Sequence, residues 1–340
     1  MASHRRSKQP SRARVTVLTA TAAAAVALTS QAAHADPKPS KEEVKAKVDK
    51  LYHEAEKATE KYNGAKERQG KLEKEISNLQ DRVARGQAEV NDLRDDLGSL
   101  ASAQYRSGGI DPSVQLFLSS DPDDYLDKAS TLDQLSSKQV ESLRKIQEKQ
   151  RSLAQERKEA TSKLKDLEKT RTELGKKKKQ VQSKLSEARR LLNTLTAAER
   201  QAIAEEESRA SRDSAGRAPG GTPASGRAGA AYAAAQSKIG APYVFGASGP
   251  SSFDCSGLTS WAYAQAGVSL PRTSQAQANA GTRIYSASQL QVGDLVLFYG
   301  DLSHIALYAG NGQILHAPHS GATVRYESLN AMPFQFGVRV

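Results

Sequence analysis

Cys255 is the only cysteine in the 340-residue chain, and it stands in Phe253-Asp254-Cys255-Ser256-Gly257-Leu258, just ahead of an apolar-periodic run over 258–266. That spacing predicts a thiol at a helix start, where unpaired N–H groups and a partial positive charge favour the thiolate. A free thiol titrates near ~8.5, and such surroundings lower it to roughly 3.5–7.5. A lone cysteine also serves as a small buried apolar residue. With one cysteine no internal disulfide can form, so a retained free thiol points to nucleophilic chemistry.

A thiolate nucleophile needs an imidazole. Of six histidines, His4 and His34 fall in the first 35 residues and His53 in a long helical stretch, which leaves His304, His316 and His319. His304 opens one alternating apolar run and His316 lies on the next, across Gly310-Asn311-Gly312. A two-residue loop would put the two rings on opposite faces of a hairpin. A three-residue loop, with Gly312 in the left-handed region, makes them diagonal neighbours on one face, and that loop is expected here. His319 has the opposite parity to His316 and should be a surface residue. One cysteine and these histidines have no zinc-ligand spacing, so neither metal nor cofactor is expected.

The elements that must carry these residues follow from pattern. Short helices over 230–239, 258–266 and 274–280 precede alternating runs at 294–299, 304–309, 313–317, 323–326 and 336–340, which defines an α+β domain with an antiparallel sheet over 229–340. Upstream, Val44, Val48, Leu51, Ala55, Ala58, Tyr62, Ala65, Leu72, Ile76, Leu79, Val83, Val90, Leu93, Leu97 and Leu100 repeat in steps of four and three. Such a seam means a coiled coil. A second arm carries Leu143, Ile146, Leu153, Leu164, Leu167, Leu174, Val181 and Leu185, with Gln150, Arg157, Arg171 and Lys178 on alternate core positions. Ser107-Gly108-Gly109 and Pro112 end the first arm, so an antiparallel hairpin is favoured over a parallel homodimer. The arms are expected at about 41–106 and 125–210, within a hairpin region over 36–210. The tip over 107–124 carries Leu116, Phe117 and Leu118, which either close the hairpin end or form a docking patch. A Ser/Gly/Pro-rich flexible linker is expected over 211–228.

The N-terminus reads as an export signal over 1–35, with five basic residues, an apolar stretch at 15–28 and Ala33-His34-Ala35 before Asp36. The alternative is a retained anchor. Nothing later is apolar enough to span a bilayer. Removing residues 1–35 lowers the net charge from +11 to +6, and the segment from Gly229 carries only +1 of it. Export argues against a nucleic-acid role, and a basic helical half would attract an anionic wall polymer weakly.

Pro242-Tyr243-Val244-Phe245-Gly246, Phe253-Asp254-Cys255-Ser256-Gly257-Leu258, Val292-Gly293-Asp294-Leu295, Ser303-His304-Ile305-Ala306 and Ile314-Leu315-His316-Ala317 resemble, in order, the NlpC/P60 family of cell-wall cysteine peptidases. The resemblance implies a papain-like fold and cleavage of peptidoglycan stem peptides between D-γ-glutamyl and a diamino acid. It implies Cys255 as nucleophile, His304 as base and His316 as the residue orienting it. Tyr243 matches a tyrosine near the oxyanion, and Asp254 and Ser256 match substrate-side positions. The helical half is similar to PcsB-like and Rip-type wall hydrolases. There the coiled coil can mask the active site and engage an FtsE–FtsX membrane complex. The expectation is therefore a secreted, wall-associated enzyme, against two rivals: a non-catalytic adaptor and an acyltransferase on the same fold.

Overall fold

The computed structural model describes residues 40–106, 114, 117–118, 122–217 and 222–340. The expected signal at 1–35, most of the tip and Pro219-Gly220-Gly221 of the linker lie outside the described residues.

Two helices dominate the N-terminal half: α1 (Lys41–Arg106) with 66 residues and α2 (Pro122–Leu192) with 71. Each is about 100 Å long at 1.5 Å per residue. A capping box opens α1: the Ser40 hydroxyl accepts from the Glu43 N–H, and the Glu43 carboxylate accepts from the Ser40 N–H, both at 3.1 Å. The two apolar stripes bury each other, with Ala65, Ile76, Leu79 and Val90 against Ile146, Leu153, Leu167, Leu174 and Val181. Ion pairs set the direction. Glu54–Lys184 and Glu75–Lys163 lie at 2.7 Å, and Glu89 meets Lys149 further out, so numbers rise along one arm as they fall along the other. This is the antiparallel hairpin.

Two expectations need correction here. Gln150, Arg157, Arg171 and Lys178 do not sit in the seam: all four are exposed. Arg157 instead donates to Gln87 at 2.8 Å and Arg171 to Glu73 at 2.9 Å. Their long side chains leave the interface and bond along its rim. The second arm is also not one helix to 210. It breaks at Leu192, and α3 (Ala197–Arg217) restarts from a second capping box, with Glu199 N–H to Thr196 Oγ1 at 3.2 Å and Thr196 N–H to Glu199 Oε2 at 2.7 Å. That helix runs into the segment expected to be linker.

The C-terminal half places α4 (Gly226–Gln236), α5 (Cys255–Gln265) and the single turn α6 (Ser274–Gln277) before the sheet. Six antiparallel strands follow in the order β1-β6-β2-β3-β4-β5: β1 (Thr282–Ile284), β2 (Leu295–Phe298), β3 (His304–Gly310), β4 (Gln313–His316), β5 (Arg325–Ser328) and β6 (Phe334–Arg339). The architecture is α+β. Strand parity splits the core. Leu295, Leu297, Ile305, Leu307 and Leu315 pack with Leu258 and Ala262 of α5, while Val296, Phe298, Ala306 and Ile314 form a second cluster with Ile284 and Leu329. No described helix is long and apolar enough to cross a membrane.

Candidate active site

Cys255 is the first residue of α5, and Asp254 is its N-cap. Asp254 Oδ1 accepts from the Gly257 N–H at 2.7 Å, which satisfies one of the helix's orphan donors. Asp254 Oδ2 accepts from the Gly246 N–H at 3.1 Å and takes an ion pair from Arg272. Asp254 is thus a buried structural hub, a role that a substrate-side reading did not anticipate. Gly257 is required by contact: a Cβ there would meet the Ala247 carbonyl oxygen at 2.1 Å. The loop carrying Tyr243 and Phe245 can therefore lie tight against the cysteine helix.

The histidines arrive by strand register. Gly310 pairs with Gln313 across Asn311-Gly312, whose φ values of 52° and 69° suit a two-residue hairpin turn. The expected three-residue loop is therefore absent. A bulge between Tyr308 and Gly310 restores the expected register beyond it, pairing Tyr308 with Ile314 and Leu307 with Leu315. His304 and His316 consequently share a face, and their rings meet edge-on at 5.0 Å, with Nε2 of His304 2.8 Å from Nδ1 of His316. Both are buried. His316 Nε2 then meets Glu327 Oε2 at 2.8 Å.

Helix α1 fills the cleft above them. Glu56, Thr59, Glu60 and Asn63 are all buried, one helical stripe of polar residues turned onto α5 and the sheet. Glu56 meets Nδ1 of His304 directly. Glu60 Oε1 accepts from Ser256 Oγ at 2.6 Å and lies 3.7 Å from Cys255 Sγ, while Glu60 Oε2 accepts from the Ser274 N–H at 2.8 Å. Asn63 Nδ2 donates to Asp254 at 3.0 Å. Around the rim Tyr52 stacks on His319 at 4.3 Å, Tyr62 lies 4.6 Å from Phe245, and Lys57 pairs with Asp301 at 3.0 Å. His319 is thus a contact for α1, where a bare surface residue was expected. On the far side α3 adds Glu207, which pairs with Arg325 at 3.0 Å.

These carboxylates invert the electrostatics expected of the thiol. Burial pushes the Cys255 thiol well up, and the charges of Glu56, Glu60 and Asp254 push it further. With α1 docked, burial first and then the facing carboxylates favour the neutral thiol over the anion that the helix N-terminus alone would favour. Burial likewise raises Tyr243, and the carboxylates around it add to the shift, so its hydroxyl is favoured as a protonated donor. Glu60 is pushed up to about 7, by burial and then by Asp254, against hydrogen bonds from Ser256 and Ser274 and the charge of Arg272. His316 falls to about 4 through burial, with Glu327 opposing.

The structure brings together all six expected residues: Cys255, His304, His316, Asp254, Ser256 and the buried Tyr243. Sequence reasoning missed Arg272, Ser274 and Glu327, and also Glu56 and Glu60. Arg272 donates to Ser256 Oγ at 2.8 Å and pairs with Asp254. Glu56 looks like any solvated coiled-coil glutamate. Its one signal is the polar spacing 56, 59, 60, 63 beside an apolar seam.

A thiol at a helix start, facing a pair of linked imidazoles on an antiparallel sheet, is the site class of papain-like cysteine hydrolases. Residues 240–337 match the NlpC/P60 family. A probable endopeptidase of Corynebacterium glutamicum is 54% identical over 106 residues, covering 31% of this chain and 50% of that protein. A probable endopeptidase of Mycobacterium tuberculosis is 43% identical over 116 residues, covering 32% and 30%. The chain thus spans half or less of the length of these curated relatives. Among solved structures, the NlpC/p60 domain of the peptidoglycan hydrolase SagA is 39% identical, with 33% of this chain and 98% of that one covered and a TM-score of 0.31. The peptidoglycan hydrolase RipB of Mycobacterium tuberculosis is 32% identical, with 33% and 64% covered and a TM-score of 0.30. Residues 240–337 of the chain thus carry an NlpC/P60 domain.

Proposed function

We propose that the protein is a secreted, wall-associated cysteine endopeptidase that cleaves peptidoglycan stem peptides at the D-γ-glutamyl–diamino acid bond. The observation that carries the reading is the line Cys255–His304–His316, a nucleophile at a helix start beside a base whose far nitrogen is already held. The Cys255 thiol passes its proton to Nδ1 of His304, and the thiolate attacks the scissile carbonyl. The Cys255 backbone N–H and the Tyr243 hydroxyl stabilise the tetrahedral oxyanion. His304 then protonates the leaving amine of the diamino acid, and water releases the acyl-enzyme. His316 fixes the ring orientation of His304.

The docked hairpin holds this machinery off. Glu56 occupies the His304 nitrogen that the thiol needs, and Glu60 occupies the Ser256 and Ser274 donors in the cleft. Regulation by withdrawal of α1 follows. The exposed Phe117 and Leu118 at the hairpin tip are the docking surface proposed for an FtsE–FtsX-type membrane complex. Fragments released from purified peptidoglycan, identified by mass, test the reading. D-γ-glutamyl ends support it. Binding without cleavage would favour an adaptor, and acyl transfer to an added amine would favour a transferase.

A further inference from the structure

The geometry points to Glu327 as the positioning residue that makes His316 a working third member of the site; the inference rests on the peptidase reading above and names a residue that reading does not use. A histidine in the third position is ambiguous, because a neutral imidazole presents one donor and one acceptor and nothing in the ring decides which is which. His316 must accept at Nδ1 for His304 to donate from Nε2, since only then is Nδ1 of His304 the free base that takes the thiol proton. If His316 donated at Nδ1 instead, His304 would accept at Nε2 and carry its hydrogen on the nitrogen that faces the thiol. The relay would then run backwards.

Glu327 removes the ambiguity. Its Oε2 lies 2.8 Å from His316 Nε2, and an ionised carboxylate only accepts, so the His316 hydrogen is pinned to Nε2. Burial opposes ionisation of Glu327, but the His316 hydrogen bond and the neighbouring charges, Arg325 among them, bring its carboxyl down to about 2. His316, held down to about 4 by burial, stays neutral. The order of donors is therefore set from the sheet edge inward: Glu327 accepts from His316, which accepts from His304, leaving Nδ1 of His304 to accept from Cys255 once Glu56 has withdrawn. Strand pairing builds the contact. Arg325 sits opposite His316 and Glu327 opposite Ile314, so Glu327 reaches the ring along the diagonal. Arg325 holds Glu327 at 3.7 Å while its other nitrogen pairs with Glu207 of α3. The carboxylate is thereby fixed from a second side. In the Ser–His–Asp case, loss of the tautomer-setting acid through an amide replacement drops kcat by about 10⁴. Here the carboxylate acts one ring further out, and about 10- to 100-fold is expected for a residue one step behind the reacting groups.

The full chain carrying Glu327→Ala and, separately, Glu327→Gln tests this. Peptide hydrolysis is normalised to the fraction of Cys255 open to thiol labelling, which separates chemistry from opening. The expected result for Glu327→Ala is a fall of about 10- to 100-fold in kcat with KM within about twofold. Glu327→Gln, whose amide can donate to His316 as well as accept from it, should lose a comparable amount, as the amide replacement does in the Ser–His–Asp case. Imidazole ¹⁵N spectra of the inactive Cys255→Ala chain give a readout that needs no activity. His316 should be protonated at Nε2, and adding Glu327→Ala should shift it toward a tautomer mixture. Unchanged kcat in Glu327→Ala, an unchanged His316 tautomer, or a loss confined to KM would each overturn the assignment. Persistent hydrolysis by Cys255→Ala alone would instead overturn the peptidase reading.

Discussion

Replacing Glu60 with glutamine should tighten the closed state at neutral pH, although it removes a residue from the latch. Glu60 is buried opposite Asp254, with Cys255 and Glu56 beside it and Arg272 as the facing cation, and its carboxyl is raised from 4.5 to about 7. The docked state therefore holds one more proton than the undocked state between those values. Docking is strongest below pH 4.5, weakens as pH rises toward 7, and is flat beyond. A shift of that size corresponds to about 3 kcal/mol, or a few-hundred-fold in the opening equilibrium. Glutamine fits the same donors. Its oxygen accepts from the Ser274 N–H, its NH₂ donates to Ser256 Oγ, and the Ser256 proton turns to Asp254 Oδ1, which lies 3.4 Å away. Cys255 is the only cysteine in the chain, so its alkylation rate reads opening directly. The ratio of native to Glu60→Gln rates cancels the thiol's own titration. It should rise by up to about tenfold per pH unit between about 5 and 6.5 and level off near 7. A ratio that is flat over that range, or a glutamine that opens the site at every pH, would refute the reasoning.

Glu56→Ala removes the partner of the His304 ring, a charge-assisted contact worth about 1.5–3 kcal/mol, and should speed Cys255 alkylation by roughly 10- to 150-fold. Tyr52→Ala loses the ring stacked on His319 together with its packing on the Val44–Val48–Ala188 cluster, and should speed it a few-fold, with the unfolding midpoint of the C-terminal half unchanged. Arg272→Ala leaves Asp254 buried without its cation and should cost about 3–5 kcal/mol in denaturant unfolding. Arg272→Lys should recover little of this, since one ammonium cannot reach Ser256, Ala247 and Asp254 together.

Periodicity and turn chemistry were enough for the hairpin, the α+β order and the cysteine helix, because each rests on local spacing. The shared face of His304 and His316 followed from parity, although a bulge at Ala309 rather than a longer loop produces it. What stayed hidden is non-local. Glu327 depended on β5 running over Arg325–Ser328 instead of ending at 326, and an edge strand with one buried position of four carries little alternation. Glu60 and Cys255 are 195 residues apart, and no spacing rule joins a coiled-coil glutamate to a distant thiol. The thiol's upward shift, opposite to expectation, was hidden for the same reason: its helix was visible in the sequence, while its burial under α1 and the acids facing it were not. The break before α3 was readable in Thr196-x-x-Glu199, a capping box lying inside an otherwise continuous seam.

The most direct measurement is the rate at which purified peptidoglycan is cut by the full chain, by residues 229–340 alone, and by each with Cys255→Ala. The separated domain should release D-γ-glutamyl-ended fragments much faster than the full chain, and both alanine variants should release none. Equal rates for domain and full chain would contradict closure by α1, and cleavage surviving the loss of the sulfur would contradict the chemistry itself.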